Sequence, residues 1–148
     1  MKTYYLGYIV FFVRALSPSL AFYRDLLGFE EVGRTFGGAA AALTSGRTHH
    51  ELLLIELPDA PPPLPGRRLG LYHIGIKIGD TLDELRAAKQ ELEQAGVNID
   101  SMSDHTVSQS LYLHDPDGNE VELYVDADDS VWKNDPSAVL APIKPLHL

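Results

Sequence analysis

The chain contains no cysteine, which excludes a disulfide framework and a thiolate metal site. Basic residues are scarce: 12 Lys and Arg stand against 21 Asp and Glu, for a formal net charge of -9 and a pI of about 5.0. Nucleic acid and anionic membrane surfaces need the opposite balance, so neither is expected as a partner. No apolar run approaches the roughly 20 residues that span a bilayer. The opening residues, Met1-Lys2-Thr3-Tyr4-Tyr5, begin a strand-like pattern and hold no signal core with a cleavage site. A soluble cytoplasmic protein is expected.

What is present is globular. At 148 residues, 45% hydrophobic and 22% charged, the chain makes one ordinary domain or two small halves. Its organising stretch is residues 105–124. Asp115-Pro116-Asp117-Gly118-Asn119 is a turn signal: proline presets φ, Asp and Asn bond local backbone, and glycine tolerates positive φ. Alternating runs flank it at 110–113 and 120–125, so a β-hairpin is expected. Period-2 alternation puts Glu122 and Tyr124 on one face and Val121, Leu123 and Val125 on the other. A carboxylate on such a strand needs a cationic or hydrogen-bonding partner to offset desolvation.

Residues 5–13 read as a first strand. Ser17-Pro18 opens a helix with Ser17 as N-cap, and Gly28 ends it. Strands are expected at 29–36, 39–44 and 49–57. Residues 58–66 hold five prolines and form an extended linker. The second half repeats the plan: a strand at 71–78, a helix opened by the capping box Thr81/Glu84 and stopped by Gly96, a strand at 97–102, then the hairpin. The expected fold is α+β, with tandem βαβββ modules forming a curved mixed sheet, a half-barrel around a concave site. The boundaries are 1–57 for the first module, 58–69 for the linker, 70–126 for the second module, and 127–148 for a tail that packs on the body through Trp132, Leu140 and Leu146.

Among the six histidines, His147 lies in the tail and His114 beside the turn. His73 shares a strand face with Gly75 and Lys77. Comparing the halves, Tyr8 stands where His73 stands, and Glu56 echoes Glu122 through Ile55-Glu56-Leu57 and Val121-Glu122-Leu123. His49-His50-Glu51 opens the fourth strand, and His105 precedes the hairpin. Two histidines and one carboxylate are the usual platform for non-haem iron. Here only His73 and Glu122 are in place, with Tyr8 where the other histidine would sit. Each residue also has an ordinary reading: a hydrogen-bonded core histidine, an exposed glutamate, a solvated His49-His50 loop, or tyrosines that fill the pleat.

Residues 19–29 (SLAFYRDLLGF) and 111–124 (LYLHDPDGNEVELY) resemble the vicinal oxygen chelate superfamily of glyoxalase I, bleomycin-resistance proteins and extradiol dioxygenases. The resemblance covers about residues 4–126, and the look is nearest to catechol 2,3-type extradiol dioxygenases. It implies metal ligation by His73 and Glu122, an acid–base histidine at His50, and an active-site histidine at His105 before Val107-Ser108. It also implies active-site tyrosines at Tyr112 and Tyr124. The implied cofactor is a divalent metal, Fe(II), and the implied partners are a small aromatic substrate and a second copy of the chain in a homodimer. Tyr8 departs from the pattern, since it occupies the place of the first metal histidine. That departure leaves a metal-free, bleomycin-resistance-like binding protein as one alternative. A glyoxalase- or isomerase-type metal lyase using Glu56 or Glu122 as base is another.

Overall fold

A computed structural model describes residues 1–62, 64, 66–67 and 69–148. Parts of the expected linker, Pro63, Pro65 and Arg68, lie outside the described residues. The chain divides into two compact units, 1–64 and 65–148. Each is a mixed sheet with a helix on one face, and no closed barrel forms among the described residues.

The first unit contains β1 (Ile9–Val13), α1 (Leu16–Leu20), β2 (Glu30–Thr35), β3 (Ala40–Thr44) and β4 (Leu52–Glu56). α1 runs on as a π-helical stretch, Ala21–Leu26. The sheet order is β1-β4-β3-β2, with β1 and β4 parallel and the other pairs antiparallel. Phe11 and Val13 from β1 and Leu52 and Leu54 from β4 are buried on one face. Leu16, Leu20, Phe22 and Tyr23 supply the helical side of this core. The Tyr23 ring stacks on Phe11 and meets Phe22 edge-on.

Three sequence expectations shift here. β1 starts at Ile9 rather than residue 5, because β4 supplies partners only from Leu52; the first bond beyond the ladder is Ile9 N–H to the Glu51 carbonyl. β4 starts at Leu52 rather than residue 49. The Glu51 carboxylate and Thr44 hydroxyl instead tie residues 44–51 into a turn around Gly46, at φ 91°. The N-cap of α1 is Ala15, not Ser17, and makes no side-chain cap bond. The Leu16 N–H is met at 2.8 Å by Glu56 Oε2, so a carboxylate from β4 does the work of a cap.

The second unit contains β5 (His73–Gly79), α2 (Leu82–Gln94), β6 (Ser101–Asp104), β7 (Ser108–His114), β8 (Glu120–Asp126), α3 (Ser130–Asn134) and β9 (Lys144–Pro145). Its order is β5-β8-β7-β6-β9, with only β5 and β8 parallel. α2 begins with the expected capping box: the Glu84 N–H donates to Thr81 Oγ1, and Glu84 Oε2 accepts from Asp80 N–H and Thr81 Oγ1–H. Gly96 ends it at φ 73°. Leu85 and Leu92 of α2 are buried, as are Ile74, Leu111, Leu113, Val121, Leu123 and Val125 of the sheet. The β7–β8 turn closes through Asp115, which is buried and accepts N–H bonds from Asp117 and Asn119. The tail joins this unit by backbone pairing of β9 with β6, while Trp132 and Leu140 remain exposed.

Candidate metal and ligand site on the second sheet

Because Val121, Leu123 and Val125 face α2, the pleat turns Glu120, Glu122 and Tyr124 to the other face of β8. The register fills in the rest of that face. His73 lies opposite Glu120, Gly75 and Tyr112 flank Glu122, and Ser110 lies opposite Tyr124. Gly75 lies against this surface: a Cβ there would make ordinary van der Waals contact with the Tyr124 ring at 3.4 Å and with Glu122 Oε2 at 3.6 Å.

Glu122 is the meeting point. Its Oε1 accepts from Ser110 Oγ–H at 2.6 Å and from the Tyr112 hydroxyl at 2.9 Å. Its Oε2 lies 3.1 Å from His73 Nε2. Behind Tyr112, His105 Nε2 lies 2.8 Å from the phenol oxygen. The Tyr112 proton goes to a carboxylate that only accepts, so His105 must donate through Nε2–H. Burial, reinforced by the hydrogen bond to Glu122 and its charge, raises the Tyr112 pKa well above the ordinary phenol value. Tyr112 is therefore a fixed neutral donor. Burial also raises the Tyr124 phenol, helped by the Asp126 charge and opposed by Lys77.

His105 is held by a tight loop. Its N–H donates to the Ser108 carbonyl, and the next residue, Thr106, adopts φ 73°. A β-branched residue in that region is strained. The Thr106 N–H is anchored at 2.7 Å on Asp104 Oδ1, and this bond holds the Asp104 carboxyl below its usual range.

A cleft of about 300 Å³ opens on this face, lined by Tyr72, His73, Ser103, His105, Tyr112 and Glu120, with Asp100, Ser101 and Ile143 completing it. His114, beside the turn, is instead paired with Asp100 at 2.6 Å.

The first unit carries a separate cluster. His49 Nδ1 and His50 Nδ1 lie 2.5 Å apart, and the Tyr8 ring packs 4.4 Å from the His50 ring. Tyr8 immediately precedes β1. The repeat-based match of Glu56 with Glu122 is not kept. Glu56 pairs with Val13 and points to the helix-packed face, and Leu53 is the β4 residue that the register sets in the place of Glu122. The residue opposite Tyr8, as Glu120 is opposite His73, is Glu51.

An imidazole nitrogen and a carboxylate oxygen 3.1 Å apart are close enough to share one cation, a proton or a metal ion. Two ligands each about 2.1 Å from one ion and roughly at right angles are about 3 Å apart. His73 and Glu122 thus fit adjacent positions on one divalent ion. Among the described residues, no group of three His, Asp, Glu or Cys side chains completes a metal cluster.

Sequence parity could have found Ser110 and Glu120, which share a face with residues already singled out. Tyr72 and Ile143 carried no such signal.

A model of the Glyoxalase/Bleomycin resistance protein/Dioxygenase superfamily matches residues 5–123, and the chain belongs to that superfamily. It is 39% identical over 132 residues to a catechol-2,3-dioxygenase of Bacillus subtilis, covering 88% of this chain and 45% of that one. It is 33% identical over 90 residues to biphenyl-2,3-diol 1,2-dioxygenase 2 of Rhodococcus globerulus, covering 61% of this chain and 47% of that one. The chain thus spans about half the length of these curated relatives. A glyoxalase/dioxygenase structure from Nostoc punctiforme shares the fold, with TM-score 0.73 and 20% identity over 84% of this chain and 92% of that one.

Proposed function

We propose that the protein binds a small aromatic compound with two adjacent ring oxygens and opens the ring in the extradiol manner, with a divalent metal, Fe(II), at His73 and Glu122. The observation that carries this reading is the division of labour at Glu122: Ser110 and Tyr112 hold Oε1, and Oε2 is left facing His73 Nε2. The names of two dioxygenase relatives, a catechol-2,3-dioxygenase and a biphenyl-2,3-diol 1,2-dioxygenase, support the substrate class.

A divalent ion bound there would supply Lewis acidity toward the two substrate oxygens and a place for dioxygen beside them. The protein's own residues do the rest. Ser110 and Tyr112 fix the orientation of the Glu122 carboxylate. In the complex His105 would turn its Nε2–H from Tyr112 to a substrate oxygen, while the raised Tyr112 pKa keeps its phenol a donor to Glu122. The cleft, about 300 Å³, lies at the lower end of the roughly 300–1,000 Å³ typical of small-molecule sites and suits a single-ring ligand. In the overall change the ring C–C bond beside the diol breaks and both atoms of dioxygen enter the product. The substrate supplies the electrons, so no separate reductant is required.

The test is oxygen uptake by protein reconstituted anaerobically with Fe(II) and then given catechol and air. Uptake should occur in the native protein and vanish in Glu122→Ala. A folded, iron-loaded protein that neither binds catechols nor consumes oxygen with them sinks the reading. Tyr8 favours one alternative, a metal-free binding protein; catechol held equally well with and without a chelator, and never turned over, would support it.

A further inference from the structure

Glu120 has no part in the mechanism above, yet it carries an unusual pair of unsatisfied atoms. His73 and Glu120 lie directly opposite each other in the parallel β5–β8 ladder. His73 Nδ1 and Glu120 Oε1 are both buried, and neither makes a hydrogen bond. They are 3.3 Å apart, close enough for an ion pair but misaligned for a hydrogen bond as the ring stands. Buried polar atoms are nearly always paired, and here each orphan is the other's available partner. A small rotation of either side chain joins them.

We propose that Glu120 is a positioning residue: it accepts a hydrogen bond from Nδ1–H of His73 and so presents Nε2, with its lone pair, toward Glu122 and the cleft. The neutral ring has one proton and two carboxylates competing for it. Placing that proton on Nε2 would satisfy Glu122 Oε2 but leave both buried orphans unpaired. Placing it on Nδ1 pairs them both. Glu122 already accepts two hydrogen bonds on its other oxygen, whereas Glu120 has no ion pair except that with His73 among the described residues.

Beside the pair, the Tyr72 ring lies 4.7 Å from the His73 ring, and the nearby Glu120 charge raises the Tyr72 phenol. Carboxylates in this relation to a ligating histidine fix its tautomer and raise its basicity.

The consequence for metal affinity rests on the proposed function, but the tautomer does not, and the experiment separates them. Long-range ¹H–¹⁵N spectra of the 148-residue, metal-free protein at alkaline pH, where imidazoles are neutral, report which nitrogen of His73 bears the proton. The native protein and Glu120→Gln, which keeps an acceptor oxygen, are expected to show the Nδ1–H form. Glu120→Leu is expected to shift toward Nε2–H, now donated to Glu122. Titration with Co²⁺ should find Glu120→Leu weaker by about 10–100-fold, with Glu120→Gln nearer to native. A native Nε2–H tautomer, or a Glu120→Leu spectrum unchanged from native, overturns the proposal. If the tautomer shifts as described while no variant, nor the native protein, binds Co²⁺, Glu120 keeps its positioning role and the metal-based function falls.

Discussion

At the scale of single residues, the two oxygens of Glu122 have different neighbours and different duties. Tyr112 joins them to His105, and its pKa sets a direction for pH dependence. The folded-state value lies above the ordinary phenol value of about 10. The native state therefore holds the Tyr112 proton where the unfolded chain releases it. The stability this represents is present below about pH 10 and declines as pH rises beyond it. Urea-unfolding midpoints between pH 8 and 11 should fall more steeply in the native protein than in Tyr112→Phe; equal slopes would mean that Tyr112 is not held as described. Thr106 offers a second residue-scale prediction. Its φ of 73° and its buried, unpaired Oγ1 both cost stability. Asn tolerates the left-handed region, so Thr106→Asn should raise unfolding stability by about 1 kcal/mol; a lower midpoint would show that the hydroxyl has a partner. His73, Glu122, His105 and Tyr112 were legible in the sequence through parity and family resemblance. Glu120 obeyed the same parity but was hidden by its company: a run of alternating carboxylates reads as a solvated strand face. Only the register, which sets it against His73, distinguishes it.

At the scale of elements, α1 and α2 both begin on glutamates, by different routes. α2 uses a local capping box that the sequence announces in Thr81 and Glu84. Thr81→Ala should cost about 1 kcal/mol. Gly79→Ala should also destabilise, because the added Cβ would sit 2.7 Å from Glu84 Cδ and 2.9 Å from Glu84 Cβ. Denaturant midpoints check both, and a neutral Gly79→Ala would mean that the box can rearrange. α1 instead borrows its cap from Glu56, which follows Leu16 by 40 positions. No local pattern can reveal a cap that distant, and for that reason Ser17-Pro18 pointed to the wrong start. Glu56→Ala should lower stability by about 1 kcal/mol and Glu56→Gln by less, with metal binding unchanged in both. A loss of metal binding in folded Glu56→Ala would return this residue to the site. The strand starts follow the same logic: β1 and β4 begin where partners exist, and the apolar pattern of residues 5–8 could not show that pairing stops at Ile9.

At the scale of the whole molecule, the repeated βαβββ order was readable because each half carries its own strand–helix rhythm, glycine stops and turn residues. The two halves nevertheless differ in what their open faces carry. β1 and β4 turn Val10, Phe12, Leu53 and Ile55 outward, whereas β5, β7 and β8 turn out His73, Glu122, Tyr112 and Ser110. The His73–Glu122 pair thus lies on the polar face of the second unit, while Tyr8, His49 and His50 cluster in the first. The proposed hold of His73 and Glu122 on one divalent ion is tested by calorimetric titration of metal-free protein with Fe(II) under anaerobic conditions. One ion per chain is expected, with affinity lost in both His73→Ala and Glu122→Ala while their folds persist. Absence of binding in the folded native protein, or binding that survives both substitutions, would contradict it.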